Sequence, residues 1–85
     1  MSLTDKVAIV TGGAGYIGST IAKRLASDGV DVIVCDINAA AAAQVADTIV
    51  ADGGTATAIE TDVTNTGSIA AMVAQTIEQH YRIDI

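Results

Sequence analysis

Val10-Thr11-Gly12-Gly13-Ala14-Gly15-Tyr16-Ile17-Gly18 is the stretch on which the reading of the chain turns. Gly13, Gly15 and Gly18 satisfy G-x-G-x-x-G, and Gly12, Gly15 and Gly18 satisfy G-x-x-G-x-x-G. Either spacing alone is weak evidence, so the flanks decide. Upstream, Val7-Ala8-Ile9-Val10 is a continuous apolar run of the kind found in strands buried on both faces. Downstream, Ile17, Ile21, Ala22 and Leu25 recur at helical spacing and are expected to form the apolar face of a helix. A glycine-rich turn from a buried strand into a helix is the setting in which a pyrophosphate meets main-chain amides. Side chains there would obstruct the approach, and a tight turn calls for positive φ. Gly18, one turn inside the helix, permits close packing on a sheet. The alternative is a glycine-rich turn with no ligand. No Gly-Lys-Ser/Thr follows, which excludes the other common phosphate loop.

Working outward, the hydrophobic period switches back and forth. Gly29 follows Asp28 where a left-handed C-terminal cap of the first helix belongs. Val30–Cys35 reads as a second strand; Ala42, Val45, Ala46 and Ile49 mark a second helix, stopped by Asp52-Gly53-Gly54. Ala39–Ala43 is alanine-rich and reads as a plain helix start. Thr55–Ile59 is a weaker third strand. Ile69, Met72, Val73, Thr76 and Ile77 form the stripe of a third helix, with Thr64 or Asn65 as N-cap. If Thr64 caps, Gly67 stands where a capping-box Glu would sit, and that box is half built. Arg82-Ile83-Asp84-Ile85 resembles the first residues of a fourth strand. The order β-α-β-α-β-α-β predicts an α/β fold with a parallel sheet and right-handed crossovers.

The 85 residues make one small domain, here residues 1–85 as a single segment; 51% are apolar and 16% charged, enough to bury a core. The net charge of -6 and the absence of a basic patch exclude a nucleic-acid backbone as partner. Two tyrosines without Phe or Trp make no stacking platform for bases. No apolar run is long enough to span a membrane, and Met1–Lys6 lacks the order of a signal peptide. Cys35 is alone, so neither a disulfide nor a cysteine metal site is available. A soluble cytoplasmic domain is the expectation.

Asp36 ends the second apolar run, where a carboxylate accepts hydrogen bonds from a ribose 2′-hydroxyl. It would repel a 2′-phosphate, and no Arg or Lys lies between Val30 and Ile69 to neutralise one. The expected cofactor is therefore NAD(H) rather than NADP(H). The alternative for Asp36 is a strand-end residue that merely caps the next helix.

These residues resemble the short-chain dehydrogenase/reductase family along essentially the whole chain. The carriers are Lys6-Val7-Ala8-Ile9-Val10-Thr11-Gly12-Gly13, Asp36, Asp62-Val63-Thr64 and Arg82-Ile83-Asp84-Ile85. The resemblance implies a Rossmann-type sheet of strand order 3-2-1-4, with two helices on one face and the third on the other. It also implies that Tyr16 and Ile17 lie over the pyrophosphate, Asp36 and Ile37 hold the adenosine ribose, and Asp62 and Val63 border the adenine. For Asp62, a purely structural loop carboxylate is the competing reading. The classical branch usually carries glycine where Tyr16 stands, whereas Thr-Gly-x-x-Gly-x-x-Gly matches the extended branch of nucleotide-sugar epimerases and dehydratases. The long second helix and Gly53-Gly54 through Asn65 look classical, and the classical branch is favoured.

The family's reaction interconverts alcohols and carbonyls by hydride transfer, with a Tyr-x-x-x-Lys pair as acid/base and a serine that polarises the carbonyl. Thr20 follows Tyr16 by four and Ile85 follows Tyr81 by four, so no such pair is present. None of Ser2, Ser19, Ser27 and Ser68 lies after the fourth strand. The expected role is thus the NAD(H)-binding portion of an oxidoreductase acting on a small alcohol or carbonyl, without its catalytic residues. A non-catalytic nucleotide-binding or assembly module is the alternative. His80 reads as a partly buried core or helix-end cap residue rather than a catalytic base, and Cys35 as an inert buried thiol. With the sheet stopping at Ile85, Val7–Val10 is expected on or near an exposed edge, and self-association or a homo-oligomer is expected with it.

Overall fold

The computed structural model describes residues 3–85; Met1 and Ser2, the latter one of the four serines above, lie outside the described residues. The elements are β1 (Val7–Thr11), α1 (Tyr16–Ser27), β2 (Asp31–Asp36), α2 (Ala39–Ala51), β3 (Thr55–Glu60) and α3 (Thr66–His80). All strands are parallel in the order β1-β2-β3, with Ile9 opposite Ile33 and Ile33 opposite Thr57.

β2 is central and its interior is almost wholly apolar. Val32, Ile33, Val34 and Cys35 are fully buried, and each of the first three contributes roughly 1.5–3 kcal/mol by leaving water. Alternation along the strands splits the core in two. Ala8, Val32 and Val34 face Ala22 and Ala26 of α1 and Ala42, Ala46 and Ile49 of α2. Val7, Ile33, Cys35 and Ile59 face Met72 of α3. Two helices on one face and one on the other is the arrangement the resemblance implies.

Both glycine stops act as expected. After α1, Gly29 has φ 90°, and the amides of Gly29 and Val30 reach back to the carbonyls of Ala26 and Leu25. After α2, Gly53 has φ 92°, and Gly53 and Gly54 repeat the pattern on Val50 and Ile49. Both are Schellman closures, which need a residue without Cβ at the left-handed position. Asn65, not Thr64, caps α3, its side chain accepting from the Ser68 amide at 3.0 Å. The third residue of that helix is accordingly Ser68 rather than Gly67.

The face of α1 differs from expectation. Ala22 and Ala26 are buried and Leu25 is half-buried, but Ile17 and Ile21 are exposed. The cause is how closely the helix sits. A Cβ at Gly18 would collide with the Gly12 carbonyl, so the helix approaches along the small residues Gly18, Ala22 and Ala26, and bulkier side chains turn aside. The stripe of α3 divides likewise: Met72 and Thr76 are buried, while Val73 and Ile77 are exposed.

Arg82–Ile85 is not a formed strand, yet it runs beside β1. Asp84 and Ile85 donate to the Val7 carbonyl at 2.8 and 3.2 Å, and Ile9 donates to the Ile85 carbonyl at 3.0 Å. The last two are successive rungs of a parallel ladder. The outer edge of β1 is therefore occupied at these residues rather than open, and the order 3-2-1-4 is present in outline. Among the described residues, no helix is long and apolar enough to cross a membrane.

His80 closes α3 against the start of β2, with Nδ1 2.8 Å from Asp31 Oδ2 and its side chain only 14% exposed. Because an ionised carboxylate only accepts, the imidazole N–H donates. His80→Ala leaves a largely buried carboxylate without this donor. A stability loss of about 1–3 kcal/mol is expected in urea unfolding, with part of it recovered in the double variant with Asp31→Ala.

Asp84 ties the last residues to the sheet in a second way, because its Oδ2 accepts from the Val7 amide at 2.9 Å. The Arg82 hydrogen bond, then the Val7 amide, hold its carboxyl below the ordinary value. A depressed carboxyl stabilises the fold above its unfolded value, and the effect is lost as pH falls through the folded one. Acidification, or Asp84→Ala at neutral pH, is therefore expected to speed amide exchange at Ile9 and Ile85, after correction for intrinsic rates, and to leave β2 protected. Unchanged exchange would show that the carboxylate does not hold this segment.

Candidate functional site

In a parallel sheet every strand's C-terminal end opens onto the same edge, and three loops gather there: residues 12–15, 37–38 and 61–65. Gly12 has φ 64°, the left-handed region, which explains glycine at the first position. Gly13 is buried, and a Cβ on it would come within 2.8 Å of Val34 Cγ1 and 2.9 Å of the Val10 carbonyl. Gly15 differs: an added Cβ would meet only the Gly12 carbonyl, at 3.3 Å. Its outer side is open. Gly13 and Gly18 therefore serve packing, and Gly15 leaves room in front of the loop.

The loop's amides divide in the same way. Gly13 donates to the Cys35 carbonyl at 2.9 Å, Ala14 to Asp36 Oδ2 at 3.1 Å and Gly15 to the Gly12 carbonyl at 3.0 Å. Tyr16, Ile17 and Gly18, the first three residues of α1, have amides with no acceptor among the described residues. Gly15, the N-cap, has no side chain to supply one. The other two helices are closed by Asn38 and Asn65, which accept from Ala41 and Ser68. Each of those caps still leaves the first two amides of its helix without an acceptor among the described residues, whereas α1 leaves all three, an arrangement suited to an anion.

Asp36 stands next to this loop. Besides the Ala14 contact, its Oδ1 accepts from the Asn38 amide at 3.0 Å. The capping alternative thus holds only in part, because Asn38 caps α2 and Asp36 supports that residue. An ionised carboxylate accepts about four hydrogen bonds, so each oxygen keeps a free position. Ile37 is exposed beside it. Tyr16, 91% exposed, and Ile17 also project into solvent at the edge.

The loop after β3 is more self-contained. Asp62 Oδ1 accepts from the Thr64 amide and hydroxyl at 2.9 and 2.6 Å, and the Asp62 amide donates to Ser68 Oγ at 2.9 Å. The Thr64 hydroxyl, then its amide, hold this carboxyl below the ordinary value. Oδ1 therefore serves the loop's own turn. Val63 is exposed at its tip. No hydrogen bond joins this loop's side chains to the glycine loop or to Asp36 among the described residues.

Sequence reasoning missed Ala14 and Ser68. Ala14 acts through its amide, which leaves no side-chain signature; Ser68 was visible only as one serine of four. Cys35 is fully buried, and burial pushes its thiol up, partly offset by the Thr61 side chain. Among the described residues no three His, Cys, Asp or Glu side chains form a metal-binding group.

A parallel βαβ sheet with a glycine loop at the first turn and an acidic residue closing β2 is the arrangement of a Rossmann-type α/β fold. The family model for short chain dehydrogenase matches residues 6–85, and the chain belongs to that family. It is 39% identical over 85 residues to the 7alpha-hydroxysteroid dehydrogenase of Escherichia coli strain K12, covering 100% of this chain and 33% of that protein. The crystal structure of hydroxysteroid dehydrogenase from Escherichia coli superposes with TM-score 0.96 at 39% identity, covering 99% of this chain and 36% of that one. A 7 alpha-hydroxysteroid dehydrogenase complexed with NADH and 7-oxo glycochenodeoxycholic acid gives TM-score 0.94 at 38% identity, covering 98% and 32%. The chain spans about a third of the length of the curated relatives it matches.

The two kinds of glycine separate in a stability measurement. Gly18→Ala presses a methyl against the Gly12 carbonyl and is expected to cost about 1–3 kcal/mol, as overpacking does. Gly15→Ala, with only the contact at 3.3 Å, is expected to cost less than about 1 kcal/mol. Urea unfolding of the two variants checks the order, and a reversed order would mean the loop does not sit against α1 as described.

Proposed function

We propose that this edge holds the adenosine-diphosphate half of NAD(H) in an oxidoreductase that interconverts alcohols and carbonyls. The observation that carries the reading is the uncapped start of α1, with the free amides of Tyr16, Ile17 and Gly18 beside a two-oxygen acceptor at Asp36. The residues fit the dinucleotide: Gly12, Gly13, Gly15 and Gly18 shape and clear the loop, and the three amides face the diphosphate. The free positions on Asp36 accept the ribose hydroxyls, with Ile37 against the sugar and Asp62 and Val63 bordering the base. When bound, the nicotinamide supplies or accepts the hydride. This chain's residues bind and orient. No Tyr-x-x-x-Lys occurs among them, so proton transfer to the substrate lies outside their work.

Preference for NAD(H) over NADP(H) follows from charge. A 2′-phosphate would meet the Asp36 carboxylate, with no Arg or Lys between residues 30 and 69 to offset it. The NADH complex among the structural relatives supports the cofactor type. The classical branch is supported by the hydroxysteroid dehydrogenase relatives, despite Tyr16 in place of the usual glycine.

Fluorescence titration of the chain with NADH and NADPH tests the reading. NADH is expected to bind more tightly, and Asp36→Ala is expected to weaken NADH about tenfold or more, the scale of hydrogen bonds to a charged group. NADPH binding tightly with NADH weak would overturn the assignment of Asp36.

A further inference from the structure

The loop between β1 and α1 is fastened to the end of β2 at two successive points. The Gly13 amide donates to the main chain at Cys35, at 2.9 Å. The Ala14 amide donates to a side chain, Asp36 Oδ2, at 3.1 Å. Among the described residues this is the only hydrogen bond from any side chain to residues 12–15. The carboxylate is itself fixed from the other side by the Asn38 amide on Oδ1 at 3.0 Å. Asp36 thus stands between the glycine loop and the start of α2, held through both oxygens.

We propose that Asp36 is a positioning residue for the phosphate loop as well as an acceptor for the ribose, so that the two subsites are coupled through the Ala14 amide. This rests on the reading of the loop and Asp36 as parts of one dinucleotide site. One hydrogen bond already lies on each oxygen, and about one acceptor position remains on each. Two neighbouring hydroxyls of a ribose fill those positions without displacing Ala14. Gripping the sugar therefore leaves the loop tie intact, and a carboxylate held by a diol is a more sharply oriented acceptor for Ala14. Coupling between bound groups is reciprocal: a diphosphate that orders the loop also orders the carboxylate for the sugar.

The test separates the tie from the charge and from the diol. Asp36→Asn and Asp36→Ala both remove the negative charge, but Asn keeps one carbonyl oxygen, which accepts from Ala14 when its NH2 takes the Oδ1 place and gives up the Asn38 bond. The probes are ADP and 2′,3′-dideoxyadenosine diphosphate, which lacks the diol. The Asn variant is expected to bind the dideoxy probe about fivefold more tightly than the Ala variant, the scale of one hydrogen bond. Equal affinity of the two variants for that probe overturns the positioning role, even with ADP binding impaired in both. Wild-type chain that binds neither probe, or binds ADP no better than the dideoxy probe, overturns the dinucleotide reading instead. Amide exchange in the ligand-free chain then decides the tie by itself. Ala14 is expected to exchange slowly in wild type and Asp36→Asn and at least about fivefold faster in Asp36→Ala. Identical Ala14 exchange in all three proteins, each showing the same far-ultraviolet circular dichroism, overturns the proposal.

Discussion

The approach of α1 to the turn that precedes it is the constraint on which the rest of the structure depends. There is no room for a Cβ at position 18 beside the Gly12 carbonyl, nor at position 13 between Val34 and the Val10 carbonyl. With hydrogen at both places, the helix begins directly behind β1 and descends along Gly18, Ala22 and Ala26. That approach buries Ala8, Val32 and Val34. It also aims the helix start at the strand ends. Gly13 and Gly18 serve that close contact, while Gly15, where packing leaves room, keeps the front of the loop clear.

Much of this was legible because it is local or periodic. Glycines at left-handed helix stops, β-branched runs in buried strands and small residues at a strand-to-helix turn each have a direct physical cause. The face of α1 was misread for a reason equally physical. Helical spacing selected Ile17 and Ile21, and spacing treats a larger apolar residue as a better core residue. Where two backbones nearly touch, the smallest side chains take the interface, and isoleucine is displaced to its flank. The stripe of α3 divided too: Met72 packs on Val7, Ile33, Cys35 and Ile59 and Thr76 is buried, while Val73 and Ile77 are exposed.

Contacts that join distant segments through a single polar atom were not legible. Asp31 and His80 are separated by most of the chain, and nothing in either neighbourhood announces the pair. Asp84 reads only as one residue of the fourth strand's start, yet its carboxylate holds the first amide of β1. Ala14 is the extreme case, because the acting group is present in every residue except proline. Such links are specified by the whole fold, so they are found only once the strands are in register.

Asp36 and Asp62 show why residue type and position do not by themselves assign a role. Both follow strands and open onto the same edge. The Asp62 carboxyl is engaged through Oδ1 by Thr64, two residues on, so its hydrogen bonds shape its own turn. The Asp36 carboxyl accepts from Asn38 on its own side and from Ala14 across the sheet edge. Deleting the first would disturb one loop, whereas deleting the second removes the side-chain tie between two segments and leaves them joined by the Gly13–Cys35 main-chain bond. A carboxylate shared between segments transmits what happens at one to the other, because its orientation is a common variable of both hydrogen bonds. The free amides of α1 begin two residues beyond Ala14, at the first residues of the helix. On the proposed reading, an anion at the helix start and a sugar at the strand end act on two segments joined through one carboxylate.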